Sequence, residues 1–349
     1  ATVTRLYAAL EALLAAGREA AAAGGGDGGD DAPSTSDSNG GKQFDLSQLS
    51  RAIARERALD EYKLELLADP PNLLRCAVMI AQSEYPDISL ESVERELDTL
   101  AELVEGELPP PGERYPLRVL KIISSVLYEQ MGFNGNLEDY YDHDNSYVNK
   151  VLERRTGIPI SMALVYMEVA ARVGLPMVAV NLPAHLMVRP AAKDLQVLVD
   201  AFRGGQLCML EDAQEVLSGI TGMDVRLDER FVTNNVGMPP RIFLKRMLNN
   251  LKQIYTTTRD LERSLRVIRY MRLTDPESAE EIRDEGLCLF AMQRLPESSS
   301  LLSAYLEKAP DAEDAERVRG LLQRMRKQAS DAQSARRSDE DGAGGSDAG

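Results

Sequence analysis

Three residues in the middle of the chain have the types that acyl transfer needs: a hydroxyl at Ser161, an imidazole at His185 and a carboxylate at Asp200. Ser161 lies two residues past Pro159, at the entry to an apolar run. A helix starting there would set the hydroxyl in the field of its N-terminus, where free N–H groups favour a nucleophile or its oxyanion. His185 would then act as general base, with Asp200 orienting its ring. The same residues also have a plain structural reading. Ser161 satisfies a helix-end N–H, His185 ends a strand, and Asp200 caps the turn into Phe202-Arg203-Gly204-Gly205.

The elements that carry these residues decide between the two readings. Residues 159–173 predict a helix that is apolar nearly all round, with Glu168 and Arg172 paired at i,i+4 on its polar side. Three β-like runs follow at 177–181, 186–189 and 195–201, separated by Pro183-Ala184 and by a turn over 190–194. In an antiparallel pair, opposite residues share a constant index sum. A sum of 385 sets His185 across from Asp200, whereas 384 sets it across from Val199 and turns Asp200 away. The connection allows either register.

Ahead of this region, helices are predicted over 46–68, 72–84, 89–104 and 116–130, with proline-containing breaks between them. Residues 131–156 are polar and irregular, with a short helix over 146–155. Helices followed by an antiparallel meander make an α+β arrangement. Beyond Phe231 the pattern is helical again, over 241–257, 260–272, 277–292, 295–308 and 312–327. The breaks at Asp275-Pro276 and Ala309-Pro310 are 34 residues apart, the tetratricopeptide period. One such repeat is too short for an independent solenoid and is expected to pack against the preceding domain. The chain divides into a terminal helix and disordered linker (1–43), a core with N-terminal helices (44–230), a repeat-like helical region (231–327) and a disordered tail (328–349).

Composition narrows the chemistry. The formal net charge is −16: the first 42 residues contribute −3 and residues 327–349 contribute −2, leaving −11 on residues 43–326. An acidic body repels phosphate backbones and anionic lipids, so neither nucleic acid nor membrane is expected as a partner. No apolar run reaches 18 residues. Two histidines and three unpaired cysteines exclude a histidine-rich zinc centre and a disulfide framework. They point to a reducing compartment, the cytoplasm or, given the alanine-rich start at Ala1, a plastid stroma. His143 sits between Asp142 and Asp144, a contiguous triplet without the spaced ligands of a closed metal site, and reads as a loop or helix-start cap. Gly204 and Gly205 lack dinucleotide-loop spacing, and no cofactor or metal is expected. Arg154 and Arg155 read as internal salt-bridge partners rather than anion binders. Cys76, Cys208 and Cys288 read as buried structural thiols.

A wider pattern surrounds the candidate triad. Tyr140-Tyr141-Asp142 is followed by Asn145-Ser146-Tyr147-Val148-Asn149 and by Val151-Leu152-Glu153-Arg154-Arg155-Thr156-Gly157-Ile158-Pro159-Ile160-Ser161. Leu182-Pro183-Ala184-His185-Leu186-Met187-Val188-Arg189 and Val199-Asp200-Ala201-Phe202-Arg203-Gly204-Gly205 continue it. Over roughly residues 75 to 215 the order of these motifs resembles the SirB branch of the transglutaminase-like superfamily. The C-terminal helices are similar to that branch's tetratricopeptide-like tail. The resemblance implies a papain-like α+β core with a small antiparallel sheet, in which Ser161 stands at the catalytic cysteine's position, His185 at the histidine's and Asp200 at the aspartate's. Serine is the departure from that pattern. A helix N-terminus can draw a thiol toward thiolate, but a hydroxyl is far too weak an acid for that. The expectation is therefore a non-catalytic or weakly catalytic protein that binds another protein or peptide, a pseudoenzyme in a regulatory role. The alternative is a Ser161-His185-Asp200 acyl-transfer hydrolase, protease-like in its action on amide or ester bonds.

Overall fold

The computed structural model describes residues 46–192, 195–229, 231 and 237–327. The terminal helix and linker predicted before residue 44 and the tail after 327 lie outside the described residues.

Helix α1 (Leu46–Glu65) leads to α2 (Leu73–Gln82), whose Asn72 cap accepts from the Arg75 N–H, and α3 (Leu90–Glu107), which Ser89 caps through the Ser92 N–H. Helix α4 (Pro116–Ser124) takes Pro116 at its first turn, where the missing N–H costs nothing, and runs on into a π-helical turn at Ser125–Gln130. The short strand β1 (Asn134–Gly135) pairs in parallel with β2 (Thr156–Gly157). Between them lie a 3-10 turn (His143–Ser146) and α5 (Val148–Arg154).

Helix α6 (Pro159–Arg172) is the centre of the molecule, with eleven of its 14 residues buried. Its polar side is closed as the i,i+4 spacing predicts: Arg172 meets Glu168 at 2.6 Å and Asp98 at 2.8 Å. The sheet follows as β3 (Met177–Leu182), β4 (His185–Pro190), β5 (Leu198–Asp200) and β6 (Gln206–Cys208), antiparallel in sequence order. Strand β6 was not anticipated. Alternation divides the faces: Leu186, Val188 and Val199 join the main core around α6, whereas Met187, Leu198 and Cys208 pack under α7 (Leu210–Thr221).

The C-terminal helices are α8 (Pro240–Thr257), α9 (Leu261–Thr274), α10 (Ala279–Ala291) and α11 (Leu295–Lys308), and residues 315–327 are also helical. As expected, they pack against the preceding domain. Phe243, Leu244, Met247, Leu248 and Leu251 of α8 and Val267, Tyr270 and Met271 of α9 belong to the same hydrophobic cluster as α6. The Tyr270 hydroxyl donates to the Met79 carbonyl at 2.9 Å, and Tyr147 and Tyr255 share a buried hydroxyl bond at 2.8 Å. Two smaller clusters hold α9, α10, α11 and 315–327 together. Among the described residues, no helix is long and apolar enough to cross a membrane.

Glu84, just past the end of α2, ties the two halves by accepting from Arg263 and Arg266 of α9. Burial acts against its charge, but the two guanidiniums outweigh burial and hold its carboxyl below the usual range. A depressed folded value means that the stabilisation is present above about pH 4.5 and is lost as pH falls through the folded value. Urea midpoints of wild type and Glu84→Gln, measured between pH 7 and 3, should differ most at neutral pH and converge below pH 4.5. A gap that does not change with pH would contradict this.

Candidate active site

The hairpin between β3 and β4 is tight. Leu182 pairs with His185 across Pro183-Ala184, and Ala184 takes the left-handed conformation at φ 56°. His185 is thereby fixed at the start of β4, 3% exposed, with Nε2 2.8 Å from Asp200 Oδ2. Both expected registers require correction. Val188 faces Val199, an index sum of 387, so Phe202 rather than Asp200 is formally opposite His185. The cause is Pro190, read as the first turn residue but found as the last residue of β4, against Met177, which shifts the turn centre along the chain. A slip of two from 385 preserves side-chain parity, so Asp200 still shares the face of His185 and reaches it diagonally.

Asp200 does both jobs considered for it. While Oδ2 holds the imidazole, Oδ1 accepts the N–H groups of Phe202 and Arg203 at 3.1 and 3.2 Å. These bonds close the turn through Gly204 and Gly205, whose φ values are 70° and 66°. A Cβ on Gly205 would meet Ser124 Oγ at 2.5 Å and the Tyr128 ring at 2.6 Å, so no larger residue fits. The His185 ring stands edge-on to Phe202, 6.3 Å between centroids, and Phe202 stands edge-on to Tyr140 at the same separation.

Ser161 is the third residue of α6 and is 1% exposed. Its Oγ accepts the Ile158 N–H at 3.1 Å and donates to the Asn145 carbonyl at 2.6 Å; the Ile158 carbonyl at 3.1 Å is a longer alternative for the same proton. This is helix capping combined with a tie to the 3-10 turn. No hydrogen bond joins Ser161 to His185. By alternation, His185 and Asp200 take the parity of Met187 and Leu198, the sheet face turned toward α7 rather than α6. Gly157 is required beside the serine, since a Cβ there would lie 2.7 Å from Ser161 Oγ.

No thiol substitutes for the serine. Burial pushes Cys76 up to about 12 and Cys208 and Cys288 up to about 11, so all three stay protonated at neutral pH. The polar loop contains the one trio among the described residues with metal-ligating types in reach of one another: Asp142, His143 and Asp144, within 4.8 Å. Arg154 already sits between its carboxylates, 2.7 Å from Asp142 and 3.4 Å from Asp144. Tyr85 donates to Asp144 as well. A cation would have to displace that guanidinium. Arg155 instead takes φ 54° after α5 and bonds the Met131 carbonyl.

Sequence reasoning overlooked Asn145 and Arg246. Asn145 is fully buried, receives the Ser161 proton on its carbonyl and uses its amide to hold Asp139 O at 2.8 Å. Arg246, on α8, donates through Nη1 to the Asn181 amide oxygen and to the His185 carbonyl at 3.2 Å. The Asn145 signal was its place in the quoted motif. Arg246 has no signal beyond its helix.

Residues 91–249 match the transglutaminase-like superfamily, and residues 251–323 match the tetratricopeptide repeat. A UPF0162 protein of Xylella fastidiosa is 32% identical over 252 residues, covering 72% of this chain and 88% of that one. Protein SirB1 of Salmonella typhimurium is 26% identical over 250 residues, 71% of this chain and 91% of that one. Human F-box only protein 21 is 36% identical over 190 residues, 46% of this chain and 30% of that one. No solved structure matches the chain.

Proposed function

Because this chain belongs to the SirB branch of the transglutaminase-like superfamily, with tetratricopeptide-repeat helices behind its core, we propose that it is a protein-binding member whose nucleophile position no longer reacts. The observation that carries this reading is the Ser161 hydroxyl, whose proton goes to the Asn145 carbonyl while its oxygen accepts the Ile158 N–H. A hydroxyl becomes nucleophilic only when a base takes its proton along the reaction path. Here the base, His185, is bonded to Asp200 and not to the serine. The serine does for the fold what a capping residue does, and the His–Asp pair locks β4 to the turn after β5.

Repeat-helix arrays bind extended peptides along their surfaces, which supports a protein or peptide as the partner. The hydrolase reading draws on one feature: with Asp200 on Nε2, the imidazole Nδ1 makes no hydrogen bond among the described residues and would be the nitrogen to face a nucleophile.

A fluorophosphonate probe separates the two readings. Intact-mass measurement of wild type, Ser161→Ala and His185→Ala after exposure to a small fluorophosphonate should show the same mass in labelled and unlabelled samples of all three. An adduct present in wild type and missing from both variants would establish the hydrolase and end the non-catalytic reading.

A further inference from the structure

Helix α1 packs on α2 and α9 and buries only Ile53, Ala58 and Tyr62 of its 20 residues. Along one edge of that packing a groove of about 430 Å³ runs between α1, α2 and the turn into α3. Ala54, Ala58, Val78, Met79 and Ile88 form its apolar walls, and the two alanines leave room for a third helix to come close. Its rim carries Arg57, Glu61, Arg75 and Glu91, which sum to zero charge. Arg57 is already held by Glu61 at 2.9 Å, and Arg75 by Glu65 at 3.1 Å. The rim therefore selects neither an acidic nor a basic ligand, and what the groove offers is apolar contact. Leu64, three residues past Glu61 and seven past Arg57, continues the same face of α1 and is 65% exposed. From Ala54 to Leu64 this open face is about 15 Å long at a helical rise of about 1.5 Å per residue.

The chain carries a segment of matching length and pattern ahead of α1. In residues 3–21, which lie outside the described residues, Val3, Leu6, Tyr7, Leu10, Leu13 and Leu14 recur at the three- and four-residue spacing of one helical face. Arg5, Glu11, Arg18 and Glu19 flank or oppose that stripe and, like the rim of the groove, sum to zero charge. As a helix, Val3 to Leu14 measures about 16 Å, the length of the open face. Residues 22–45 join this segment to the first residue of α1. That connection of 24 residues can span up to about 80 Å, whereas the middle of the groove at Ala58 lies only about 18 Å along α1 from Leu46. The reach is ample. A tether makes docking intramolecular, so that an untethered helix from another protein would have to outcompete it.

We propose that residues 3–21 dock as a helix in the α1–α2 groove of their own chain, with the leucine stripe against its apolar walls. The groove is then filled in cis, and a partner protein meets the repeat helices rather than this face. The contact is independent of the partner-binding reading and persists whatever the chemistry of Ser161 and His185.

The chain has no tryptophan, so Tyr7→Trp in the full chain reports on this segment alone. Its emission should be blue-shifted from that of N-acetyl-tryptophanamide, with an acrylamide quenching constant at least threefold lower, and both should be independent of protein concentration. Ala54→Glu and, at a more exposed position, Leu64→Glu each put a charge on the groove and should return the emission and the quenching to free values. The double substitution Leu10→Asp, Leu14→Asp should do the same while leaving residues 46–327 untouched, which separates loss of docking from loss of folding. A solvent-exposed tryptophan in the Tyr7→Trp chain would overturn the proposal. Shielding that survives both groove substitutions would put the segment on another surface and overturn the groove as its seat. Shielding that appears only as protein concentration rises would give the groove to a second copy and overturn docking in cis.

Discussion

Asp200→Ala is expected to lower stability by about 3–5 kcal/mol, among the largest effects of any single substitution in this chain. The carboxylate is fully buried, and three donors converge on it: the His185 ring and the N–H groups of Phe202 and Arg203. Alanine leaves all three without an acceptor in a place that water does not reach, and each such orphan costs about 1–3 kcal/mol. For a chain of this size the melting temperature should fall by about 6–15 °C, read by circular dichroism. Asp200→Asn is the control. It keeps an Oδ1 acceptor for the turn and can still bond a neutral imidazole, so about 1–2 kcal/mol should be lost. If Asp200→Ala costs less than Asp200→Asn, the turn-and-strand role given to this residue is wrong.

The second large effect lies in the repeat-like helices. Lys252 of α8 reaches Glu281 at 2.8 Å and Asp284 at 2.5 Å, both on α10, and Glu281 is 4% exposed. Burial opposes the ammonium charge, but the bonds from Asp284 and Glu281 outweigh it and hold Lys252 above its usual value. The stabilisation is therefore complete below the unfolded value and disappears only as pH rises through the folded one, well into the alkaline range. Lys252→Met leaves two largely buried carboxylates facing one another. We expect a loss of about 2–4 kcal/mol at neutral pH, less than a fully buried pair would show because Lys252 and Asp284 retain some solvent. Adding Glu281→Gln to Lys252→Met should recover part of that loss, and urea unfolding of the four-member cycle measures the coupling. Strict additivity would mean that the pair contributes nothing specific.

Much of this architecture was legible because proline and periodicity leave strong marks. The helices before residue 131 were found by their apolar spacing and the prolines between them, and α6 by being apolar on nearly every side. The His185–Asp200 pair was legible through alternation, which fixes the face of a strand residue even when its register is wrong by two. Register depends on where a turn begins, and Pro190 can either start a turn or end an edge of a strand. Strand β6 escaped because three residues, Gln206–Cys208, placed just after two glycines carry no period. Ser161 shows a deeper limit. A serine in the first turn of a helix has one address and two chemistries, capping or nucleophilic attack, and the choice lies with Asn145, sixteen residues earlier, whose carbonyl takes the proton. Arg246 was invisible for the opposite reason. One arginine on an amphipathic helix reads as a solvated face, and only the fold shows that it meets the Asn181 side chain and the His185 carbonyl.

The central claim is that residue 161 is a capping position and not a nucleophile seat. Ser161→Cys tests it most directly, because a thiol reports its own ionisation through its rate of alkylation. In a background where Cys76, Cys208 and Cys288 are replaced by alanine or serine, iodoacetamide at pH 6.5 should modify the new thiol at least tenfold more slowly than free cysteine. That slow rate should be unchanged by His185→Ala. Modification faster than free cysteine, and dependent on His185, would contradict the account and restore this site to catalysis.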